Sequence, residues 1–165
     1  MSWKDLFLSA NGRVGQGAFW IGFLILVGAW VVSHLFLVLA PVIWLALLYP
    51  WVCLFAKRLH DFGRSGWLIL VPFVVAVVAV TCAFVFGGIG AMGTIWTIAT
   101  EGEEPSAWAT AISGMGAMLG FLAVAGLVKV AFILWVGLSK GADGPNAYGP
   151  PAGPLGAAPP AAPAA

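Results

Sequence analysis

The densest polar segment of the chain is Lys57-Arg58-Leu59-His60-Asp61-Phe62-Gly63-Arg64-Ser65-Gly66-Trp67, and its residue types allow three kinds of chemistry. Arg58 and Arg64 beside a helix start can hold a phosphate, because guanidinium forks and unpaired helix-terminal N–H groups both favour anions. His60 and Asp61 form the adjacent pair used in metal-dependent phosphohydrolases, but such a centre needs several further His or Asp ligands. The only other histidine is His34, deep in an apolar run. No cluster has metal-ligand spacing, so no metal, cofactor or catalytic residue is assigned and the chain is read as not an enzyme. The third chemistry is structural. Gly63 can take positive φ at a helix end, Ser65 or Asp61 can cap the next helix, and the arginines can anchor a hairpin to anionic headgroups.

The elements that must carry this turn follow from composition. The chain has 165 residues, 62% of them hydrophobic and 8% charged, with a mean hydropathy of +1.04. Soluble domains carry about 25% charged residues, so a soluble globular domain, a disordered chain and a nucleic-acid-binding module are all excluded. Residues 14–56 contain no Asp, Glu, Lys or Arg. As helix they would extend about 64 Å, two crossings of a ~30 Å hydrocarbon core. Pro41 stands between the halves as a natural break. Residues 65–100 and 105–128 are likewise free of charge. The expected fold is therefore an all-α integral membrane protein with four transmembrane helices, at about 18–40, 43–56, 67–89 and 109–138, in one domain over residues 1–150. Helix is the default because backbone groups in lipid must be satisfied within the segment.

The ends differ in kind. Trp3, Leu6 and Phe7 share a face at i, i+3, i+4 spacing, which predicts a short N-terminal interfacial helix stopped at Gly12. Residues 151–165 are dominated by Pro, Gly and Ala and are expected to be a disordered tail. With four crossings, Lys4, Arg13, Lys57, Arg58, Arg64 and Lys140 share one side, while Glu101, Glu103 and Glu104 lie on the other. Positive residues mark the cytoplasmic side, giving both termini inside.

Small residues stripe the later helices. Ala76, Ala79, Ala83, Gly87 and Gly90 repeat at three- and four-residue steps, and Gly116-x-x-x-Gly120 is a strict close-packing motif. They serve either packing between helices three and four or a homo-oligomer seam. Gly87, Gly88, Gly90 and Gly93 weaken the outer end of helix three, which can bend there. Lys129 and His34 are the polar side chains inside spans. Lys129 either snorkels to the inner interface or serves an ion or substrate, and His34 reads as a hydrogen-bonded packing residue.

Three segments together resemble a known family. They are Gly12-Arg13 with Phe19-Trp20, the turn Arg58-Leu59-His60-Asp61-x-x-Arg64-Ser65-Gly66-Trp67, and Gly144-Pro145-Asn146-Ala147-Tyr148-Gly149-Pro150. In order and content these resemble the small bacterial inner-membrane proteins grouped as domain of unknown function 805, over about residues 3–151. The resemblance implies a bacterial inner (plasma) membrane location and a four-helix type of domain, and no activity. The chain departs from that pattern at Gly15, Gln16 and Gly17, at Ala147 and at Pro150-Pro151, each change removing charge. All three segments fall on the predicted cytoplasmic side. Arg13, Arg58, His60, Asp61, Arg64, Ser65, Trp67, Asn146 and Tyr148 are therefore the candidate residues of one cytoplasmic cap or headgroup-binding site.

The resulting expectation is a structural, accessory or scaffolding membrane protein. Its partners would be the lipid bilayer with its anionic headgroups, another copy of itself or another membrane protein, with no nucleic acid. A small oligomeric transporter or channel subunit is the alternative, and a membrane enzyme using His60 and Asp61 a third. The topology makes the first prediction: tags at either terminus should resist external protease in intact cells, and external cleavage of both would refute the orientation.

Overall fold

The computed structural model describes residues 2–36, 38–101 and 105–153. Five α-helices follow in order: α1 (Trp3–Leu8), α2 (Gln16–Ser33), α3 (Ala40–Asp61), α4 (Leu70–Glu101) and α5 (Pro105–Leu138), with one 3-10 turn, Gly66–Ile69, ahead of α4. Four stretches are long and apolar enough to cross a membrane: Gln16–Ser33, Ala40–Asp61, Gly66–Thr100 and Trp108–Leu138. That is the complement of a multi-pass membrane protein. The expected tail beyond Gly153 lies outside the described residues, as do Glu103 and Glu104.

The chain divides into two compact units, Met1–Ile69 with Leu134–Ala165, and Leu70–Ile133. In the first, α2 and α3 form an antiparallel pair with a core of interlocked rings. Phe19 meets Phe55 edge-on at 5.1 Å between centroids, and Phe23 meets Trp51 at 5.3 Å, the geometry aromatic quadrupoles favour. The six-residue α1 begins with a reciprocal cap: Ser2 Oγ accepts from the Asp5 amide, and the Asp5 carboxylate accepts from the Ser2 amide and hydroxyl. These bonds hold the Asp5 carboxyl below its ordinary pKa. Leu6 of α1 is fully buried, in reach of Gly22, where an added Cβ would stand 3.4 Å from it and 3.0 Å from Leu54.

Two boundaries differ from expectation for one reason, the place of Pro41. It does not separate two helices but sits in the first turn of α3, where its missing N–H is no loss. The chain turns earlier. The His34 and Leu35 amides donate back to Val31 and Val32 at 3.2 and 3.0 Å, tightening the end of α2 into i→i+3 bonds. Helix one is therefore Gln16–Ser33 rather than 18–40. Helix two, expected at 43–56, runs five residues further and carries Lys57, Arg58, His60 and Asp61 within it. Its last part, Cys53 to Leu59, is buried on every side, so the first charged residues do not end the helix as they would in lipid.

The second unit is the hairpin of α4 and α5. The glycine-rich stretch does not unwind, and α4 continues helical to Glu101, past the expected end at 89. Gly90 lies against Gly114, a Cβ on Gly90 falling 2.8 Å from the Gly114 Cα, and Gly87 lies against Met118. Ala83 is buried and Ala76 half-buried. Phe86 stacks on Phe121 at 5.4 Å. The close-packing motif of α5 plays no part in this crossing: nothing approaches within 4 Å of where a Cβ on Gly116 or Gly120 would stand. Gly114, two residues before Gly116 and so about 200° round the helix from it, is the small residue that lies against Gly90 of α4. Gly90→Leu should therefore destabilise the solubilised protein by about 1–3 kcal/mol, the usual cost of overpacking. Gly116→Leu should leave its melting temperature within a degree or two, and equal losses would contradict this crossing.

Candidate functional site

α3 ends at Asp61 in a Schellman motif. The Gly63 amide donates to His60 O at 3.1 Å and the Arg64 amide to Leu59 O at 2.9 Å, with Gly63 at φ +76°, the left-handed geometry that glycine takes without strain. This satisfies two of the orphan carbonyls every helix end presents. Further donors come from other parts of the chain. The Ala142 amide donates to Asp61 O at 2.9 Å, Arg13 Nη2 donates to the same oxygen at 3.1 Å, and the Asn146 side-chain amide donates to His60 O at 2.9 Å.

At the centre is the Asp61 carboxylate. Its Oδ1 accepts from Arg13 Nε at 3.1 Å and its Oδ2 from Arg58 Nη1 at 2.6 Å. Arg13, Arg58 and Asp61 are 6%, 1% and 3% exposed. Both guanidiniums are otherwise spent on backbone carbonyls. Arg13 donates to Ala142 O at 2.5 Å, Gly144 O at 2.7 Å and Gly149 O at 3.4 Å. Arg58 donates to Val136 O at 3.1 Å, to Val14 O at 3.4 Å and to Ser139 O, which caps the end of α5. Lys57, also buried, reaches the Asp5 carbonyl in the first turn of α1. Among the described residues no buried side-chain nitrogen or oxygen lacks a partner, the condition on which buried charges are tolerated.

Residues 139–149 thus form a strap drawn across the end of α3. Asn146 and Gly149 pair through both backbone bonds at 3.1 Å, and Asn146 Oδ1 accepts from the Tyr148 amide at 2.9 Å. This tight turn lays the Tyr148 ring flat on His60, 3.9 Å between centroids and 4° between planes. His60 Nδ1 lies 3.3 Å from Gly12 O, which sets that nitrogen as the donor.

Of the nine sequence candidates, Arg13, Arg58, His60, Asp61, Asn146 and Tyr148 are brought together in this cap. Arg64, Ser65 and Trp67 are not: all three are exposed, and Ser65 Oγ accepts only the Trp67 amide, at 3.4 Å. His60 and Asp61, adjacent in sequence, serve different partners, the ring facing Tyr148 and the carboxylate facing two arginines. Lys129 is exposed within α5, and His34 is the exposed C-cap of α2 with Nδ1 2.9 Å from Trp30 O. Two contributors carry no signal in the sequence. Lys57 reads there as one more surface cation. Gly141 has no room for a side chain, since a Cβ there would overlap the Asp61 carboxylate.

Comparison with known proteins places the chain in a family. Residues 7–150 match the family model described as Protein of unknown function (DUF805), a span that includes Arg13, all of α3 and the strap. The chain belongs to that family. Neither the curated proteins nor the solved structures contain a match.

The geometry predicts a steep hierarchy of stability. Asp61→Ala leaves two buried guanidiniums without their carboxylate and should cost about 3–5 kcal/mol. Gly141→Ala should cost about 1–3 kcal/mol by displacing that carboxylate, and Arg64→Gln should stay within about 0.5 kcal/mol. Thermal unfolding of the full chain in one detergent checks the order; an Asp61→Ala protein as stable as the Arg64→Gln one would contradict the cap.

Proposed function

We propose that the protein is an accessory or scaffolding component of the bacterial inner membrane, with no catalytic activity of its own. It spans the membrane four times with both termini and the cap in the cytoplasm. The observation that carries this reading is the commitment of Arg13, Arg58 and Asp61 to their own chain. Their hydrogen-bonding capacity goes to seven backbone carbonyls and to one another. A phosphohydrolase-like role for His60 and Asp61 would need the carboxylate free to bind a metal or to accept a proton, and it is held by two guanidiniums. A transport role would need polar groups lining a path, and Lys129 and His34 are both on exposed faces.

The orientation is supported by the gathering of Arg13, Lys57, Arg58 and Arg64 in the unit that also contains the strap. What such a protein offers other components is a rigid polar surface at the membrane boundary. The decisive experiment pairs crosslinking in native membranes with reconstitution. The full-length chain should crosslink to a second membrane protein, and vesicles containing it should show no ion flux above background. Flux that disappears in Lys129→Gln or His34→Gln would establish the transporter instead, and turnover that disappears in His60→Gln would establish the enzyme.

A further inference from the structure

The sequence groups Arg58 and Arg64 as two halves of one anion site, and the structure separates them. Arg58, like Arg13, has its guanidinium surrounded by carbonyls and the Asp61 carboxylate, so neither can receive an external phosphate without dismantling the cap. Arg64 is exposed, and its guanidinium has no partner among the described residues. The aspartates cannot serve it: Asp61 is held between Arg13 and Arg58, Asp143 pairs with Lys140 at 3.0 Å, and Asp5 is tied to Ser2. Arg64 is not loosely held. Its amide is fixed on Leu59 O, and the Ser65 hydroxyl pins the turn that follows.

Three residues further on, in the 3-10 turn that leads into α4, stands Trp67, 77% exposed and next to Gly66, where the candidate membrane-spanning stretch Gly66–Thr100 begins. An indole ring left bare at such a boundary prefers the headgroup and upper acyl level, where its apolar body and N–H are both accommodated. Trp3 and Trp135, on α1 and on the last turn of α5 in the same unit, are also exposed.

We propose that Arg64 and Trp67 form a docking site for a monoanionic phospholipid. The Arg64 guanidinium receives the headgroup phosphate, and the Trp67 ring packs along the glycerol and the first acyl carbons. The occupant is an anionic lipid because the site offers one unpaired positive charge, no competing carboxylate and a large apolar ring at the edge of a span, the complement of a phosphate carrying an acyl tail. The proposal rests on the membrane reading above and deepens it by naming the ligand and the side chain.

The test is native mass spectrometry of the full-length chain in neutral detergent, titrated with phosphatidylglycerol and with phosphatidylcholine of the same acyl chains. The wild type should retain phosphatidylglycerol preferentially. Arg64→Gln should weaken that binding about five-fold, the attraction of one surface basic residue to anionic lipid, and leave phosphatidylcholine unchanged. Arg64→Lys should retain most of the preference, and Trp67→Ala should weaken both lipids. Melting temperatures of the Arg64 variants should not move, which separates lipid binding from folding. Unchanged phosphatidylglycerol binding in Arg64→Gln would overturn the site, and displacement of the lipid by inorganic phosphate alone would show a free-anion site in its place. Either failure leaves the accessory reading intact, since that reading is decided by flux and turnover rather than by Arg64.

Discussion

An α-helix ends with carbonyl groups that have no partner in its own ladder, and near a membrane boundary they must find one in the protein or in the headgroup layer. Two helices of this protein, α3 and α5, end in the same unit with a buried arginine at each end, and a buried lysine meets the short α1. Lys57 reaches the Asp5 carbonyl of α1, Arg13 the Asp61 carbonyl of α3, and Arg58 the Val136 carbonyl of α5 and the Ser139 carbonyl just beyond it. Three buried cations face a single buried carboxylate, a formal surplus of two positive charges. Helix C-termini each carry about half a negative charge, so the ends of α3 and α5 offset part of the surplus. Strap, α1 and the α2–α3 pair all depend on this exchange.

The arrangement also accounts for the internal commitment of a polar cluster so rich in apparent chemistry. Reactive side chains need free lone pairs, free donors or a shifted proton at an open position. Here the carboxylate is divided between two guanidiniums, the guanidiniums are divided among carbonyls, and the one imidazole of the cap lies flat under a tyrosine. What remains outward-facing is Arg64, Ser65 and Trp67. The segment from Arg58 to Trp67 therefore has two sides, one turned into the protein to close helix ends and one exposed.

Much of this was legible in advance. The charge-free runs gave four spans, the order of the basic residues gave one concentrated polar end, and the three separated segments pointed to one cap that included Arg13, Asp61, Asn146 and Tyr148. Helix ends were less legible. Pro41 reads equally as a break between helices or as a first-turn residue, and only the early tightening after Ser33 decides. Lys57 to Asp61 read as a loop because charges normally stop an apolar helix; they stay helical because the strap and α1 surround them. Gly116 and Gly120 fit a packing motif, yet a motif gives spacing and not the direction in which the helix is turned.

The four apolar stretches of membrane-spanning length and the positions of the charges between them are readable from the chain alone, because hydropathy and charge act residue by residue and need no partner to be read. Only the tertiary structure decided which cations are buried and which are free, since Arg58 and Arg64 are the same residue type in the same motif. Their difference comes from the turn at Gly63, which points the chain outward after Asp61, and from the end of α5 and the start of the strap, whose carbonyls arrive from more than seventy residues away. Interactions of that separation leave no local pattern, so their consequences for function are visible only in the folded chain.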